Sequence, residues 1–139
     1  MTRINCVPVA SLCQKHLVAE YRELPRIFGS VRKAIARGEQ ADDDRNPPTY
    51  RMGKGHVRFF YPRLNYLASR QAAIVCEMKR RGITVNFEAP TREQYSDIPD
   101  EWFGHWQPTA KAIDINSARI ADRLPPSVKM IYDVAETVL

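Results

Sequence analysis

A row of apolar residues at helical spacing between positions 17 and 35 constrains this 139-residue chain more than any other feature. It consists of Leu17, Tyr21, Leu24, Phe28, Val31 and Ile35. At about 100° per residue these side chains form one stripe, which is typical of a helix that packs against other helices. The sequence therefore predicts a helix from an N-cap at Ser11 to about Arg37, where Gly38 can supply a left-handed stop.

Pro25 lies in the middle of this predicted helix, within the segment "HLVAEYRELPRIFGSVRK". A proline lacks the backbone donor that an inner helical position needs, and its ring clashes with the preceding turn, at a cost of about 3 kcal/mol. We expect a kink at Pro25 that widens the turn around Glu23 and frees the Tyr21 carbonyl for another partner.

Two further segments have the pattern of long helices. Pro62 suits a first helical position, and apolar residues on one face then continue to a stop at Gly82. A third apolar row begins at Ala110 and ends before Pro125. The second row contains Leu64, Leu67, Ile74 and Met78, and the third contains Ala110, Ile113, Ile120 and Leu124. The predicted fold class is all-α, with three main helices in a single compact domain over residues 1–139.

The connecting segments are rich in proline, glycine and aromatic residues. Residues 39–61 predict an ordered loop, and residues 83–107 a connector with only short strand-like pieces such as "ITVNF". Within that connector, Trp102, Phe103 and Trp106 are expected to cover the core rather than to stack on bases. The tail from residue 127 predicts a weaker helical stretch.

Composition limits the compartment and the partners. The formal net charge of +5 suggests a polyanionic partner. Cys6, Cys13 and Cys76 are odd in number and lack C-x-x-C spacing, which favours a reduced, intracellular protein without disulfides or zinc. Neither His56 nor His105 has the spacing of a metal ligand. No long apolar run and no signal peptide is evident, so we expect a cytoplasmic protein without a membrane segment.

The polar residues of the first predicted helix separate into sectors. Arg22 and Arg26 share a basic sector, while His16 and Glu23 lie at its border with the apolar stripe. A solvated face, with Glu23 paired to an arginine, is one interpretation. The other is a carboxylate tuned for proton transfer on an anionic substrate, with Glu20 as the competing candidate.

A second cationic pair and the chain terminus point towards nucleic-acid chemistry. Arg119 and Arg123 are four residues apart and share a helix face that could follow a phosphate backbone. Because Thr2 is small, removal of the initiator Met1 is expected, which leaves a free α-amine beside Arg3. Its pKa of about 8 keeps much of it unprotonated near neutral pH, so it could attack a sugar carbon or a carbonyl.

The segments "TRIN", "HLVAEYRELPRIFGSVRK", "GHVRFFY" and "SDIP" occur in an order and spacing that resemble the phage pyrimidine-dimer DNA glycosylases, the endonuclease V type. The resemblance extends from Thr2 to about Arg123. It implies an all-α domain whose N-terminal segment lies between helices, and a glycosylase with coupled abasic-site lyase activity on ultraviolet-damaged duplex DNA.

The resemblance also implies roles for individual residues. The Thr2 amine would attack C1′ of the damaged nucleotide and form a Schiff base, and Glu23 would permit ring opening and strand cleavage by β-elimination. Residues that hold the substrate near the reacting sugar match Arg22 and Arg26, and a residue that lines the same site matches His16. Phosphate contacts match Arg3, Arg119 and Arg123.

We therefore expect a monomeric DNA-repair enzyme that needs no metal or organic cofactor and acts on damaged duplex DNA, with cyclobutane pyrimidine dimers as the expected lesion. The C-terminal tail has Tyr132 as its only aromatic residue, where the phage protein is rich in tyrosine and tryptophan. A glycosylase of the same mechanism for another damaged base is therefore an alternative. A DNA-binding module that has lost the chemistry is a second one.

Overall fold

Residues 2–124 are described by a computed structural model, in which the chain is helical. Its helices are α1 (Gln14–Glu23), α2 (Arg26–Ala36), α3 (His56–Phe59), α4 (Leu64–Arg80) and α5 (Ala110–Asp122). Short 3-10 turns occur at Val9–Ser11, Glu93–Tyr95 and Asp100–Trp102. Residues 2–124 contain no strand, only an isolated bridge between Arg63 and Phe103. The all-α prediction is confirmed, and none of the described helices has the length and apolarity to cross a membrane.

The first predicted helix is interrupted at Pro25. Helix α1 ends at Glu23 and α2 begins at Arg26, with Leu24 and Pro25 forming a turn between them. The Tyr21 carbonyl, four residues before the proline, accepts a hydrogen bond from Gln71 Nε2 at 3.0 Å. Our hypothesis that Pro25 frees this carbonyl for another partner is thus confirmed, and the partner comes from α4.

The apolar stripe continues across this interruption. Leu17, Leu24 and Val31 have no exposed surface, and Ile35 packs at the edge of the core. The face of α4 that contains Leu64, Leu67, Ile74 and Met78 is also buried, as predicted. Pairing these two faces removes both from water and joins the first helices to α4 in one hydrophobic core.

The helix ends predicted at glycine residues are confirmed, whereas the predicted N-cap of the first helix is wrong. Gly38 and Gly82 have φ values of 88° and 76°, so both act as the predicted left-handed stops. Ser11 does not cap α1, because it belongs to a 3-10 turn in which its Oγ donates to the Pro8 carbonyl at 2.6 Å. Cys13 occupies the N-cap position instead.

The segment before α4 also differs from its prediction. Helix α4 begins at Leu64 rather than at Pro62, because the Pro62 carbonyl accepts from the backbone N–H of Gly104 at 3.0 Å and is tied to the connector. The predicted loop 39–61 contains the short helix α3, which follows Gly55 at φ 88°. These differences arise from contacts with distant segments, which local patterns do not contain.

The aromatic residues of the connector cover the core, as predicted. Trp102 and Phe103 are buried, and Trp106 is stacked on Tyr50 with ring centroids 5.5 Å apart. Trp106 also meets the Phe59 ring edge to face at 5.0 Å. Offset and edge-to-face contacts of this kind contribute beyond simple burial.

Helix α5 presents a different face from the one that its apolar row predicts. Ile113 is 36% exposed, whereas Ala112 and Asn116 are buried. The buried amide of Asn116 bonds the N-terminal segment, so the inward face is set by polar contacts as well as by apolar burial. The predicted helical stretch after residue 127 lies outside the described residues.

Candidate active site

The N-terminal segment passes between the helices, and side chains from α4 and α5 bond its backbone. Asn116 Oδ1 accepts from the backbone N–H groups of Cys6 and Val7 at 2.7 and 3.2 Å. The Tyr66 hydroxyl donates to the Asn5 carbonyl at 3.1 Å. A segment without regular structure thus has its buried backbone groups paired by side chains, which fixes its path.

A buried polar network holds the same segment against α1. Asn5 Nδ2 donates to Glu20 Oε1 at 2.7 Å, and Arg70 donates to both carboxylate oxygens of Glu20 at 2.9 and 3.1 Å. Arg70 also donates to the Val7 carbonyl. Burial alone would lower the pKa of Arg70, but the charge and hydrogen bonds of Glu20 more than offset this and the pKa is raised. Glu20, the competing candidate carboxylate, is therefore a buried structural ion-pair partner.

Beside this network, the chain forms an open cleft of about 340 Å³ between the N-terminal segment, α1 and α5. Six of the predicted site residues line it: Thr2, Arg3, His16, Glu23, Arg119 and Arg123. The sequence expectation that these residues gather at one place therefore agrees with the geometry. Thr2 and Glu23, which are 21 positions apart in the chain, meet at the same cleft.

Two predicted residues are not among those that line the cleft. Arg22 and Arg26 are exposed, at the end of α1 and the start of α2. The cleft has other lining residues that sequence reasoning did not select as site residues: Asn5, Lys15, Ala19, Met52 and His56. Lys15 lies beside His16 and could have been found from that position. Asn5 and Met52 carry no local signal of a site.

The cleft has an excess of positive charge. Arg3, Lys15, Arg119 and Arg123 line it, against Glu23 and the ion-paired Glu20. Burial lowers the pKa of Arg3, and the nearby charges of Arg119 and Arg123 act in the same direction. Crowded cations of this kind are relieved when an anion binds among them, so the cleft suits a phosphate backbone.

His16 is buried at the wall of the cleft. Its Nε2 lies 2.9 Å from the Arg123 carbonyl, and because a carbonyl only accepts, Nε2 carries the proton. Nδ1 is buried and has no hydrogen-bond partner among residues 2–124. Burial lowers the pKa of His16, with smaller contributions from the charges of Arg3 and Lys15 in the same direction. The neutral ring is thus favoured and leaves Nδ1 as an acceptor.

The described residues contain no group of three or more His, Cys, Asp or Glu side chains placed to hold a metal ion. The groups that line the cleft are the Glu23 carboxylate and several cations, an arrangement that suits a polyanionic ligand.

In a comparison with protein families, a family model described as pyrimidine dimer DNA glycosylase matches residues 1–91. The matched region includes the N-terminal segment and all of α1 to α4. It therefore contains Thr2 and Glu23, while Arg119 and Arg123 lie beyond it. Because the match covers more than half of the chain, the protein belongs to the pyrimidine dimer DNA glycosylase family.

Proposed function

We propose that this protein breaks a glycosidic bond of a pyrimidine dimer in duplex DNA and then cleaves the strand at the resulting abasic site, through a Schiff base formed by the Thr2 amine. One observation supports this chemistry most directly. The N-terminal segment is fixed by buried hydrogen bonds and leads to Thr2, which lines the same cleft as Glu23. Such fixation holds a nucleophile in place without further loss of entropy on reaction.

In the first step the lone pair of the Thr2 nitrogen attacks C1′ of the damaged nucleotide. The glycosidic bond breaks, its electron pair leaves with the base, and the base takes up a proton. The Thr2 nitrogen then loses a proton, and its lone pair opens the sugar ring. The bond from C1′ to the ring oxygen breaks, the oxygen keeps the electron pair and takes up a proton, and an iminium ion remains between the Thr2 nitrogen and C1′. An α-amine is suited to this reaction because its ordinary pKa of about 8 leaves a large unprotonated fraction near neutral pH.

Glu23 serves this reaction as a carboxylate beside the reacting carbon. The sugar carries positive charge as the glycosidic bond breaks, and the iminium ion is also a cation, so a nearby carboxylate stabilises both. Loss of a proton from C2′ then expels the 3′ phosphate and cuts the strand. Glu23 is partly buried at the end of α1, where it is accessible from the cleft.

The basic residues of the cleft hold the flanking phosphates. Arg3, Arg119 and Arg123 neutralise charge that would otherwise repel Glu23, and Lys15 adds a fourth cation. Arg22 and Arg26, which are exposed next to the end of α1, contact the DNA outside the cleft. The lesion itself lowers the cost of distorting the duplex, since damaged bases pair and stack poorly. The protein acts as a monomer and uses no metal or organic cofactor.

Borohydride trapping on duplexes that contain a pyrimidine dimer or an abasic site tests this proposal. We expect a covalent protein–DNA adduct, and peptide mapping should find it at the N-terminal Thr2. Lys15 is the other amine that lines the cleft, so an adduct on Lys15 would contradict the assignment. Mass spectrometry of the intact protein checks that Met1 has been removed.

Glu23→Gln should abolish strand cleavage, because the amide lacks the charge that stabilises the cationic sugar. Glu88→Gln is the matched control, since Glu88 is exposed and bonds Lys79 at 2.8 Å.

Cleavage of irradiated, oxidised and alkylated duplexes, compared side by side, tests which lesion the protein prefers. Preference for an oxidised or alkylated base would support the alternative substrate, and duplex binding without any adduct would support the non-catalytic module.

A further inference from the structure

His56 is a buried side chain at the cleft wall that the proposed chemistry does not use. It begins α3 and is only 2% exposed. Its Nε2 accepts from the backbone N–H of Ile4 at 2.8 Å, and its Nδ1 lies 2.7 Å from the Arg51 carbonyl. The ring therefore connects the loop before α3 to the N-terminal segment.

These two bonds define the protonation of the ring. A backbone N–H can only donate, so Nε2 must be unprotonated and accept from Ile4. A carbonyl can only accept, so Nδ1 carries the proton and donates it to Arg51. His56 is thus a neutral imidazole with a single tautomer. Neither a protonated ring nor the other tautomer can bond both partners.

The position of Ile4 gives this bond its importance. Ile4 is two residues from Thr2 in the chain. It is therefore closer to Thr2 than Asn5, Cys6 and Val7, whose hydrogen bonds are described above. Its carbonyl accepts from the Tyr50 hydroxyl at 3.1 Å, so both polar groups of the Ile4 backbone are bonded by side chains of the segment 50–56. The direction in which the chain leaves Ile4 towards Thr2 is therefore set by this segment.

We propose that His56 is a positioning residue, which holds the Thr2 amine at the reacting sugar through its hydrogen bond to the Ile4 N–H. This role rests on the proposed function, because it concerns the amine as the nucleophile. Displacement of a reacting group by about 1 Å can cost up to about 100-fold in rate. Two residues of backbone between Ile4 and Thr2 pass on such a displacement when the anchor is lost.

Two variants separate this role from simple stability. The amide oxygen of His56→Gln can reach the position of Nε2 and bond Ile4, while the bond to Arg51 is lost. The amide nitrogen of His56→Asn can reach the position of Nδ1 and bond Arg51, while the bond to Ile4 is lost. Each variant leaves one buried backbone group unpaired, so their thermal midpoints should fall by similar amounts.

The rate of borohydride-trapped adduct formation under single-turnover conditions is the readout, on a duplex with one abasic site. We expect His56→Asn to be slower by about 10- to 100-fold, and His56→Gln to stay within about threefold of the parent protein. Affinity for a duplex with an uncleavable tetrahydrofuran abasic analogue should be retained by both. Tyr50→Phe, which removes the other Ile4 anchor, should also slow the adduct and keep the affinity.

Equal rates for His56→Asn and His56→Gln, whether both high or both low, would overturn the positioning role. If either variant fails to fold, Tyr50→Phe decides, and a rate equal to that of the parent protein contradicts the inference. Failure of the proposed function has a different signature, since the parent protein itself would then form no adduct at Thr2.

Discussion

His16 and His56 are both buried within reach of arginine side chains. Burial is the main cause that lowers the pKa of His56, and the charges of Arg3 and Arg119 lower it further. The Tyr50 ring meets His56 edge to face at 5.5 Å. Each histidine uses one ring nitrogen as a donor to a backbone carbonyl. Protonation would add a positive charge to an environment that is already cationic and poorly solvated.

This arrangement predicts that the protein loses stability as pH falls from about 7 towards 5. A histidine whose pKa is lowered by folding stabilises the native state fully above its unfolded pKa of about 6.5, and that contribution is lost as pH falls below it. The thermal midpoint should therefore decrease in this range. His56→Gln should flatten the decrease, whereas His105→Gln, at an exposed site, should not.

Carboxylates contribute in a lower range. Glu77 accepts from Arg80 and Arg81, and these bonds lower its pKa. Groups of this kind stabilise the fold above an unfolded pKa of about 4.3 and lose their contribution below it. A midpoint that stays constant from pH 7 to 5 and falls only below about 4.5 would therefore show that the histidines do not contribute.

At the scale of helices, the break at Pro25 is matched by a side chain of α4. A proline at position 25 cannot donate to the Tyr21 carbonyl, and Gln71 supplies the missing hydrogen bond. The break and the amide thus work as a pair. The stripe of α1 and α2 can then pack on α4 on both sides of the turn without leaving a buried carbonyl unpaired.

The pair predicts non-additive effects of mutation. Gln71→Leu should lower the free energy of unfolding by about 1 to 2 kcal/mol, because it leaves the Tyr21 carbonyl unpaired. In a Pro25→Ala background the alanine N–H can bond that carbonyl, so the same substitution should cost about 1 kcal/mol less. Urea denaturation of the four proteins measures this coupling. Strict additivity would show that the amide of Gln71 does not replace the lost helical bond.

The ion pair of Glu20 in α1 and Arg70 in α4 is a second polar contact between these two helices. Removing one partner leaves a buried charge uncompensated, so we expect Glu20→Gln or Arg70→Met alone to cost about 3 to 5 kcal/mol. The double variant should cost less than the sum, because neither charge is left unpaired. The exposed pair Lys79–Glu88 is the control, with a coupling below about 1 kcal/mol. Equal couplings in the two cycles would contradict the buried role.

At the scale of the whole molecule, residues 2–124 place four cations at the cleft, while several acidic residues outside it form ion pairs. In the acidic segment that begins at residue 39, Glu39 is buried and accepts from Arg58 and Arg37, which lower its pKa. Asp43 accepts two hydrogen bonds from the Arg45 side chain at 2.9 Å. The acidic run is thus partly neutralised within its own loop, and the cleft provides a cationic surface for a polyanion.

The cleft predicts a defined salt dependence of duplex binding. If its four cations each neutralise one phosphate, log K should fall with log[salt] at a slope of about −3.6 from these contacts. Lys15→Ala should make the slope shallower by about 1, whereas Lys79→Ala, at an exposed ion pair, should leave it unchanged. An unchanged slope for Lys15→Ala would show that this residue does not contact a phosphate.

Much of the fold is determined by patterns that the sequence contains locally. Apolar residues at helical spacing give the inward faces of α1, α2 and α4, and Gly38 and Gly82 end α2 and α4. Pro25 predicts a kink and a freed carbonyl, and the structure has the carbonyl bonded by Gln71 but a break between two helices in place of the kink. For the site, the family resemblance predicted that Thr2 and Glu23 act together, because both lie in segments whose order and spacing match the family.

The tertiary structure alone decided how the N-terminal segment is held. Asn116 bonds Cys6 across 110 positions, and His56 bonds Ile4 across 52. It also decided that Glu20 is an ion-pair partner of Arg70, and that Lys15 lines the cleft while Arg22 does not. Hydrophobic periodicity repeats every few residues and can be read locally. A single hydrogen bond between distant residues leaves no such period, so it becomes visible only when packing brings its two ends together.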